Sequence, residues 1–341
     1  MLTFNIVYVP GSVTYLLNYV LTLLCHTSYK FCLVSNACSD DENRMLDELC
    51  QKHSERLSFT IMPTTDVWPH GAVLNYLQAR EQEPYFCFMD SDIFATGPVA
   101  DVLPEMIAGE ISALFSSVPI WVKESETTLQ YGFDEMIGTF NKTWNGICIG
   151  GTYYAVYNNA HLKDVIDNTG IGFDHYYLED IPADVQQILE TTDLKLKLYD
   201  TGKLINILLS YRQHKLQNIK QPQLCHIGGV SFEINYRKTD KALKKLFSRT
   251  YILDKWLWPV RQLKQKNILR KRYKNFDEYQ INVNQRIKYR NRIRKYFLEL
   301  HTALHDHEEI PHRPVISDPE IRQNLELASH QYIHTFKSFY V

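Results

Sequence analysis

The sequence contains no Cys-x-x-Cys pair, and its seven cysteines, at 25, 32, 38, 50, 87, 148 and 225, are scattered and odd in number. Neither a zinc module nor a disulfide framework is signalled by that spacing. Several of these cysteines stand in apolar runs, where the residue behaves as a small hydrophobe. A reducing, cytoplasmic compartment fits this usage. Long apolar runs are missing too. Residues 13–25 are apolar but too short, and too polar at their edges, to span a bilayer. The opening Met-Leu-Thr-Phe-Asn-Ile-Val has no basic region and reads as direct entry into a strand rather than as a signal peptide. Net charge is only −2, so no global field announces nucleic acid or membrane. No internal repeat is visible.

What is present suits a globular protein. The 341 residues suffice for one large α/β domain with an appendage, or for two domains. Hydrophobic content of 45% and charged content of 22% are ordinary. Aromatics reach 13%, with 22 tyrosines; they are compatible with stacking on carbohydrate, though they fill cores more often.

The most informative stretch is Tyr85-Phe86-Cys87-Phe88-Met89-Asp90-Ser91-Asp92. An apolar run too short for a typical helix ends abruptly in two carboxylates one residue apart. Such a run reads as a buried strand of an open α/β sheet, and ligands bind at the C-terminal ends of strands in such sheets. Adjacent aspartates repel, and a divalent cation relieves that cost. Oxygen ligands suit Mg2+ or Mn2+, which in turn hold phosphate oxygens. The competing interpretation is a polar turn with Asp92 capping a helix.

The surrounding pattern predicts an α/β fold with a mostly parallel sheet and helices on both faces. Asn5 to Val9 reads as a first strand broken by Pro10-Gly11, and Leu16, Leu17, Val20, Leu21, Leu23 and Leu24 follow with helical spacing. A strand at Phe31–Val34, a helix capped by Ser39 and running to about His53, a strand at Phe59–Met62 and a helix from Ala72 to Arg80 lead to the carboxylate-tipped strand. Beyond it, Ile111–Phe115 and Thr152–Tyr157 read as strands and Ala183–Leu189 as a helix. Leu194–Tyr199 alternates cleanly, as a half-exposed strand does.

Several short stretches fall in a familiar order. Ser35-Asn36-Ala37-Cys38-Ser39-Asp40 follows the second strand, and Val73-Leu74-Asn75 lies in the helix before Asp90-Ser91-Asp92. Gly170-Ile171-Gly172-Phe173-Asp174 leads to Leu178-Glu179-Asp180, and Cys225-His226-Ile227-Gly228-Gly229-Val230-Ser231 comes later. Over roughly residues 4–235 the chain resembles the family 2-like glycosyltransferases of the GT-A fold. The resemblance implies that Asp90-Ser91-Asp92 is an Asp-x-Asp motif for metal and diphosphate, and that His226 completes the metal site with Asp90 and Asp92. It implies a nucleotide-sugar site built from Val9, Pro10, Asn36, Asn75, Asp90 and Ser91. Asp180 corresponds to the catalytic base of inverting members, beside Glu179. Two departures stand out: Ser35 replaces the first aspartate of the base-binding pair, and Leu74 replaces an arginine, so the donor's base does not follow from the resemblance.

The chemistry explains these residue types. Sugar transfer must stabilise a departing diphosphate and deprotonate an acceptor hydroxyl; a metal held by aspartates serves the first task and a positioned carboxylate the second. The expectation is a metal-dependent, inverting hexosyltransferase in surface polysaccharide synthesis. It would use Mn2+ or Mg2+, a UDP-, GDP- or dTDP-linked donor, and a glycan or lipid-linked glycan acceptor. Each residue also has a plainer role. Glu179-Asp180 suits helix entry ahead of Pro182, Asn36 suits a turn, and Trp144, Tyr153 and Tyr154 suit the core.

The expected division is a GT-A domain over 1–235 and a helical, basic extension over 236–341. Trp256, Trp258, Lys264, Lys266, Arg270, Arg272 and Tyr273 suggest an amphipathic basic segment. Such a segment makes peripheral contact with the inner face of a membrane through 255–296, or packs as a solvated helical face. An Asp-x-Asp enzyme gives nucleic acid no role, and His305 and His307 read as surface residues. Two other functions compete. One is a non-catalytic GT-A-like module binding sugar or membrane. The other is a phosphatase of the haloacid dehalogenase type, whose motif follows the first strand, whereas here three strands precede it and Phe94 stands where Thr or Val is usual.

Overall fold

Short apolar runs alternate with amphipathic segments through the first half of the chain, and each of the first three runs becomes a strand followed by a helix. The computed structural model describes residues 1–116, 118–231, 233–234 and 276–340. Strands β1 (Thr3–Tyr8), β2 (Lys30–Ser35), β3 (Leu57–Ile61) and β4 (Tyr85–Met89) are linked by α1 (Val13–His26), α2 (Asp40–Lys52) and α3 (His70–Gln78). All four strands run parallel. The start of α2 is fixed by a capping box: Ser39 Oγ accepts from Glu42 N while the Glu42 carboxylate accepts from Ser39 N. Such a cap contributes about 1 kcal/mol.

The second half adds β5 (Ile93–Ala95), α4 (Leu103–Ala108), β6 (Ile111–Ser116), β7 (Glu135–Met136), β8 (Tyr154–Asn158), α5 (Asn159–Thr169) and β9 (Tyr176–Tyr177). It continues with α6 (Ala183–Thr191), β10 (Leu198–Tyr199), α7 (Lys203–Tyr211), β11 (Lys215–Asn218) and β12 (Leu224–His226). The main sheet has seven strands in the order β11-β6-β8-β4-β1-β2-β3. Only β8 runs antiparallel to its neighbours, so the fold is α/β with a mostly parallel sheet. β4 sits between β1 and β8 and is buried on both faces: Phe86 and Phe88 face one apolar cluster, Cys87 and Met89 the other.

One expected strand is shorter than its pattern. Leu194 and Leu196 are buried while Lys195 and Lys197 are exposed, so the alternation is real. Only Leu198–Tyr199 forms a ladder, because the preceding backbone has other partners. Tyr199 Oη accepts from Leu196 N and donates to Leu194 O, and Lys197 N donates to Asp134 O.

Helices α8 (Phe276–His305) and α9 (Pro319–Tyr340) complete the described structure. Tyr296, Phe297, Tyr332 and Phe336 join the apolar cluster of α1 and β5, where Phe94 meets Tyr332 edge-on with ring centroids 5.5 Å apart. His305 and His307 are exposed. Trp256, Trp258, Lys264, Lys266, Arg270, Arg272 and Tyr273 lie outside the described residues, so the proposed membrane-facing segment is described only from 276 onward. Among the described residues no helix is long and apolar enough to cross a membrane.

Candidate metal and diphosphate site

β4 ends at Met89, and the chain turns through Asp90, Ser91 and Asp92 before continuing as β5. Asp90 O accepts from Ile93 N at 3.3 Å, and a strand follows, so Asp92 caps no helix. β5 pairs antiparallel with β12 in a register that sets Ile93 opposite His226, Phe94 opposite Cys225 and Ala95 opposite Leu224. That register delivers His226 to the two carboxylates. Its Nε2 lies 3.2 Å from Asp92 Oδ1 and 3.4 Å from Asp90 Oδ2. The second oxygen of Asp92 accepts from Val230 N at 2.8 Å, and Asp92 O accepts from Ile227 N at 3.2 Å. The backbone after β12 is thereby folded around the second aspartate.

Burial makes this cluster electrostatically demanding. His226 is 1% exposed and Asp92 3%, whereas the Asp90 side chain keeps 27% of its surface open. Burial alone would strip the imidazole of its proton, but hydrogen bonds and charge from Asp90 and Asp92 prevail and raise its pKa to about 10. Burial also opposes ionisation of Asp92; the bond and charge of His226 outweigh it and hold the carboxyl below its ordinary range. The three side chains offer ligand atoms that all lie within 4.8 Å of one another. Adjacent donors around an octahedral cation with bonds of about 2.1 Å stand about 3 Å apart, close to the spacings found here. Two carboxylate oxygens and one imidazole nitrogen suit Mn2+, and the carboxylates also suit Mg2+.

Asp90, Ser91 and Asp92 line a cleft of about 240 Å3, together with Val7, Val9, Asn36, Trp68, His70, Met89, Gly229 and Ser231. Pro10 is not in its lining; it sits in the turn after β1, where Val9 O accepts from Ser12 N. Asn36 is 1% exposed and its amide is committed to a neighbour. It donates to Trp68 O at 2.9 Å and accepts from Trp68 N at 3.0 Å, fixing the loop that presents Trp68 to the cleft. Trp68 and His70 were not singled out from the sequence. The available signal was position, since the loop after β3 leaves the same sheet edge as the loop after β4.

Asn75 does not line the cleft. Its Oδ1 accepts from Phe173 N at 2.7 Å and its Nδ2 donates to Asp174 Oδ2 at 2.6 Å. A methyl group at Gly71 would stand 2.6 Å from both Asp174 Cα and Phe173 O, so the 173–174 backbone lies directly on the first turn of α3. Glu179 and Asp180 follow on an exposed 3-10 turn, Leu178–Asp180, that precedes Pro182 and α6. Neither is among the cleft-lining residues. Ser35 and Leu74 are fully buried, Leu74 within the apolar cluster under α3. Tyr154 is core, and the Tyr153 ring centroid lies 4.8 Å from that of His226. His226 does not line the cleft itself; behind the two aspartates it borders a larger cavity of about 580 Å3, whose wall includes Asn141, Asn218, Gln221 and Asn324.

No family model matches this chain, and no curated protein does. Among solved structures it is similar to the mannosyltransferase PcManGT from Pyrobaculum calidifontis in complex with GDP-Man and Mn2+, at 12% identity over 67% of this chain and 59% of that one, TM-score 0.38. It is similar to S. aureus TarS 1-349 in complex with UDP, at 12% identity over 97% of this chain and 91% of that one, TM-score 0.39. A third similar structure is the glycosyltransferase GlyE of Streptococcus pneumoniae TIGR4, at 12% identity over 76% of this chain and 53% of that one, TM-score 0.34. The chain thus spans little more than half the length of PcManGT and GlyE.

Proposed function

We propose that this chain is a metal-dependent glycosyltransferase of the GT-A type, moving a sugar from a nucleotide-sugar donor to an acceptor hydroxyl with inversion. The observation that carries this reading is the convergence of Asp90, Asp92 and His226 at the C-terminal end of β4, where the two aspartates line a cleft shared with Trp68. Mn2+ or Mg2+ bound by those three side chains would neutralise charge on the diphosphate leaving group. Trp68, held by Asn36, offers a ring face to the nucleobase. Ser91 and Val9 line the space between.

Asp180 is the proposed base that takes the acceptor proton as the oxygen attacks, with Glu179 as its neighbour. The segment carrying them follows Asp174, which Asn75 of α3 ties down between one and two turns along that helix from cleft-lining His70. The amide-rich cavity beside His226 would receive a glycan or lipid-linked glycan acceptor. A UDP-, GDP- or dTDP-linked sugar as donor, a hexose as the transferred group and surface polysaccharide synthesis at the inner membrane face complete the proposal.

A screen of nucleotide-sugar hydrolysis with Mn2+ tests it. Turnover of one donor by the wild type, lost in Asp92→Asn, supports the transferase. Cleavage of simple phosphate esters instead would point to a phosphatase, and absence of any turnover to a binding module. Asp180→Asn should keep donor binding and lose transfer; retained transfer would move the base elsewhere.

A further inference from the structure

Tyr153 reads from the sequence as a core aromatic, yet the structure sets it against two of the three residues of the candidate cation site. Its carbonyl accepts from Asp90 N at 2.7 Å. Its ring lies against the His226 imidazole, with centroids 4.8 Å apart and planes tilted by 57°. Ring pairs are favourable at about 4.5–7 Å, so this is a close contact. Asp92, the third member, is held differently. The 227–230 backbone wraps it, and Gly228 O in that backbone accepts from Arg294 Nε at 2.6 Å.

Two bare glycines seat the ring. A methyl group at Gly151 would stand 2.6 Å from Tyr153 Cδ2 and 2.7 Å from its Cε2, and one at Gly138 would stand 3.3 Å from its Oη. The glycine segment is anchored in turn. Gly138 N donates to Asp200 Oδ2 at 2.7 Å, and Lys203 Nζ donates to the carbonyls of Phe140 and Gly150. The tyrosine ring is thus backed by a fixed segment on one side and meets His226 on the other. An imidazole turns easily about its last torsion, which is broad. Nε2 faces the two carboxylates only while that torsion is restrained, and a ring packed against the imidazole restrains it. The phenol oxygen has no anionic part to play: burial, then the charges of Asp90 and Asp200, push its pKa up, so it keeps its proton.

We propose that Tyr153 is a positioning residue of the cation site: its carbonyl holds the Asp90 backbone, its ring holds the His226 imidazole, and Gly138 and Gly151 stay bare to seat that ring. This rests on the reading of Asp90, Asp92 and His226 as cation ligands. Residues that orient a ligand imidazole from behind tune metal affinity without touching the metal. The 138–151 segment then acts on the site through one side chain, although none of its residues lines the cleft.

The test is titration calorimetry of Mn2+ against the full chain, with the visible absorption of bound Co2+ as a second readout. That spectrum follows the arrangement of the ligands, which a loss of packing elsewhere would not move. Tyr153→Leu keeps the carbonyl and an apolar side chain but removes the ring; it should weaken Mn2+ binding about tenfold and alter the Co2+ spectrum. Tyr153→Phe keeps the ring and should match the wild type in both. Gly151→Ala leaves Tyr153 in the chain but drives a methyl group into its ring, so it should act in the same direction as Tyr153→Leu. It keeps the proposal testable if Tyr153→Leu fails to fold. Wild-type Mn2+ affinity and an unchanged Co2+ spectrum in both variants would overturn the positioning role and leave the cation site standing. A Tyr153→Phe variant as weak as Tyr153→Leu would overturn the ring as the agent. A wild type that binds neither ion would overturn the cation site itself.

Discussion

The Arg294 guanidinium fills the space that a side chain at Gly229 would need, and Gly229 holds a φ of +79°. A Gly-Gly pair beside a candidate ligand normally suggests close approach of backbone to that ligand. Here the close approach is by a side chain from α8. Gly229→Ala should therefore lose on two counts, about 1 kcal/mol for the left-handed backbone and about 2 kcal/mol for displacing the charged hydrogen bond to Gly228. Denaturant unfolding reads the sum. In an Arg294→Ala background the alanine should cost only the backbone part, so the two substitutions should be non-additive. Strict additivity would show that the guanidinium is not what keeps position 229 bare.

Asp92 carries two duties with its two oxygens, one toward His226 and one toward Val230 N. Asp92→Asn preserves shape and keeps an acceptor for Val230, so the fold should survive. It removes a hard anionic ligand, and Mn2+ affinity should fall about 100-fold, equivalent to about 2.7 kcal/mol. Titration calorimetry with Mn2+ on the purified variant decides this. Undiminished affinity would remove Asp92 from the cation site and return Asp90-Ser91-Asp92 to the status of a polar turn.

His226 gives the metal-free protein a characteristic pH response. Its pKa rises from the ordinary 6.5 to about 10 on folding, after burial has been outweighed by Asp90 and Asp92. Folding therefore takes up a proton between those values. The stabilisation is complete below about pH 6.5 and disappears as pH rises through about 10. The stability difference between wild type and His226→Gln should shrink across that window. Mn2+ must displace the same proton, so its affinity should increase with pH over the same range. A metal affinity independent of pH between 6.5 and 9 would argue that His226 does not ligate.

How much of this was legible in the sequence depends on sequence distance. The apolar run of β4, the Ser39 cap of α2 and the order of the first four strands are local signals, and the structure contains all of them. The two aspartates are likewise visible as a pair at a strand end. What local pattern does not carry is which strands pair. The β5–β12 register that places His226 opposite Ile93 joins two three-residue strands more than 120 residues apart, too short for any period to show. Asn36 looked equally like a ligand contact and a turn residue, because its partner Trp68 is 32 residues away. Leu194–Leu198 shows the converse: side-chain alternation reports burial faithfully, whereas ladder formation depends on which backbone groups Tyr199 and Asp134 have already claimed. Arg294 read as part of a basic, membrane-facing stretch because charge composition does not reveal which helical face turns inward.

Among the described residues, Lys203 is the most deeply buried cation, and the sequence did not mark it. It is 0% exposed at the start of α7, and its ammonium donates to Phe140 O at 2.5 Å, to Gly138 O at 3.4 Å and to Gly150 O. Asp200 Oδ2 accepts from Gly138 N at 2.7 Å, so the two side chains together pin the 138–150 segment that leads into Tyr153, whose carbonyl accepts from Asp90 N. Lys203→Met fills similar volume but leaves those carbonyls without their donor, and a loss of about 2–3 kcal/mol is expected. The pH profile distinguishes this from a loss of packing. Burial, only partly countered by Asp200 and Cys148, lowers the Lys203 pKa from 10.5 to about 8. Between those values the folded chain holds fewer protons than the unfolded one, so this group's penalty is constant below about pH 8 and is relieved as pH rises toward 10.5. Wild-type stability relative to Lys203→Met should therefore grow over that interval, opposite in sign to the His226 effect. Parallel pH profiles for the two proteins in denaturant unfolding would show that no buried ammonium is being titrated, and that Lys203 contributes through its aliphatic stem alone.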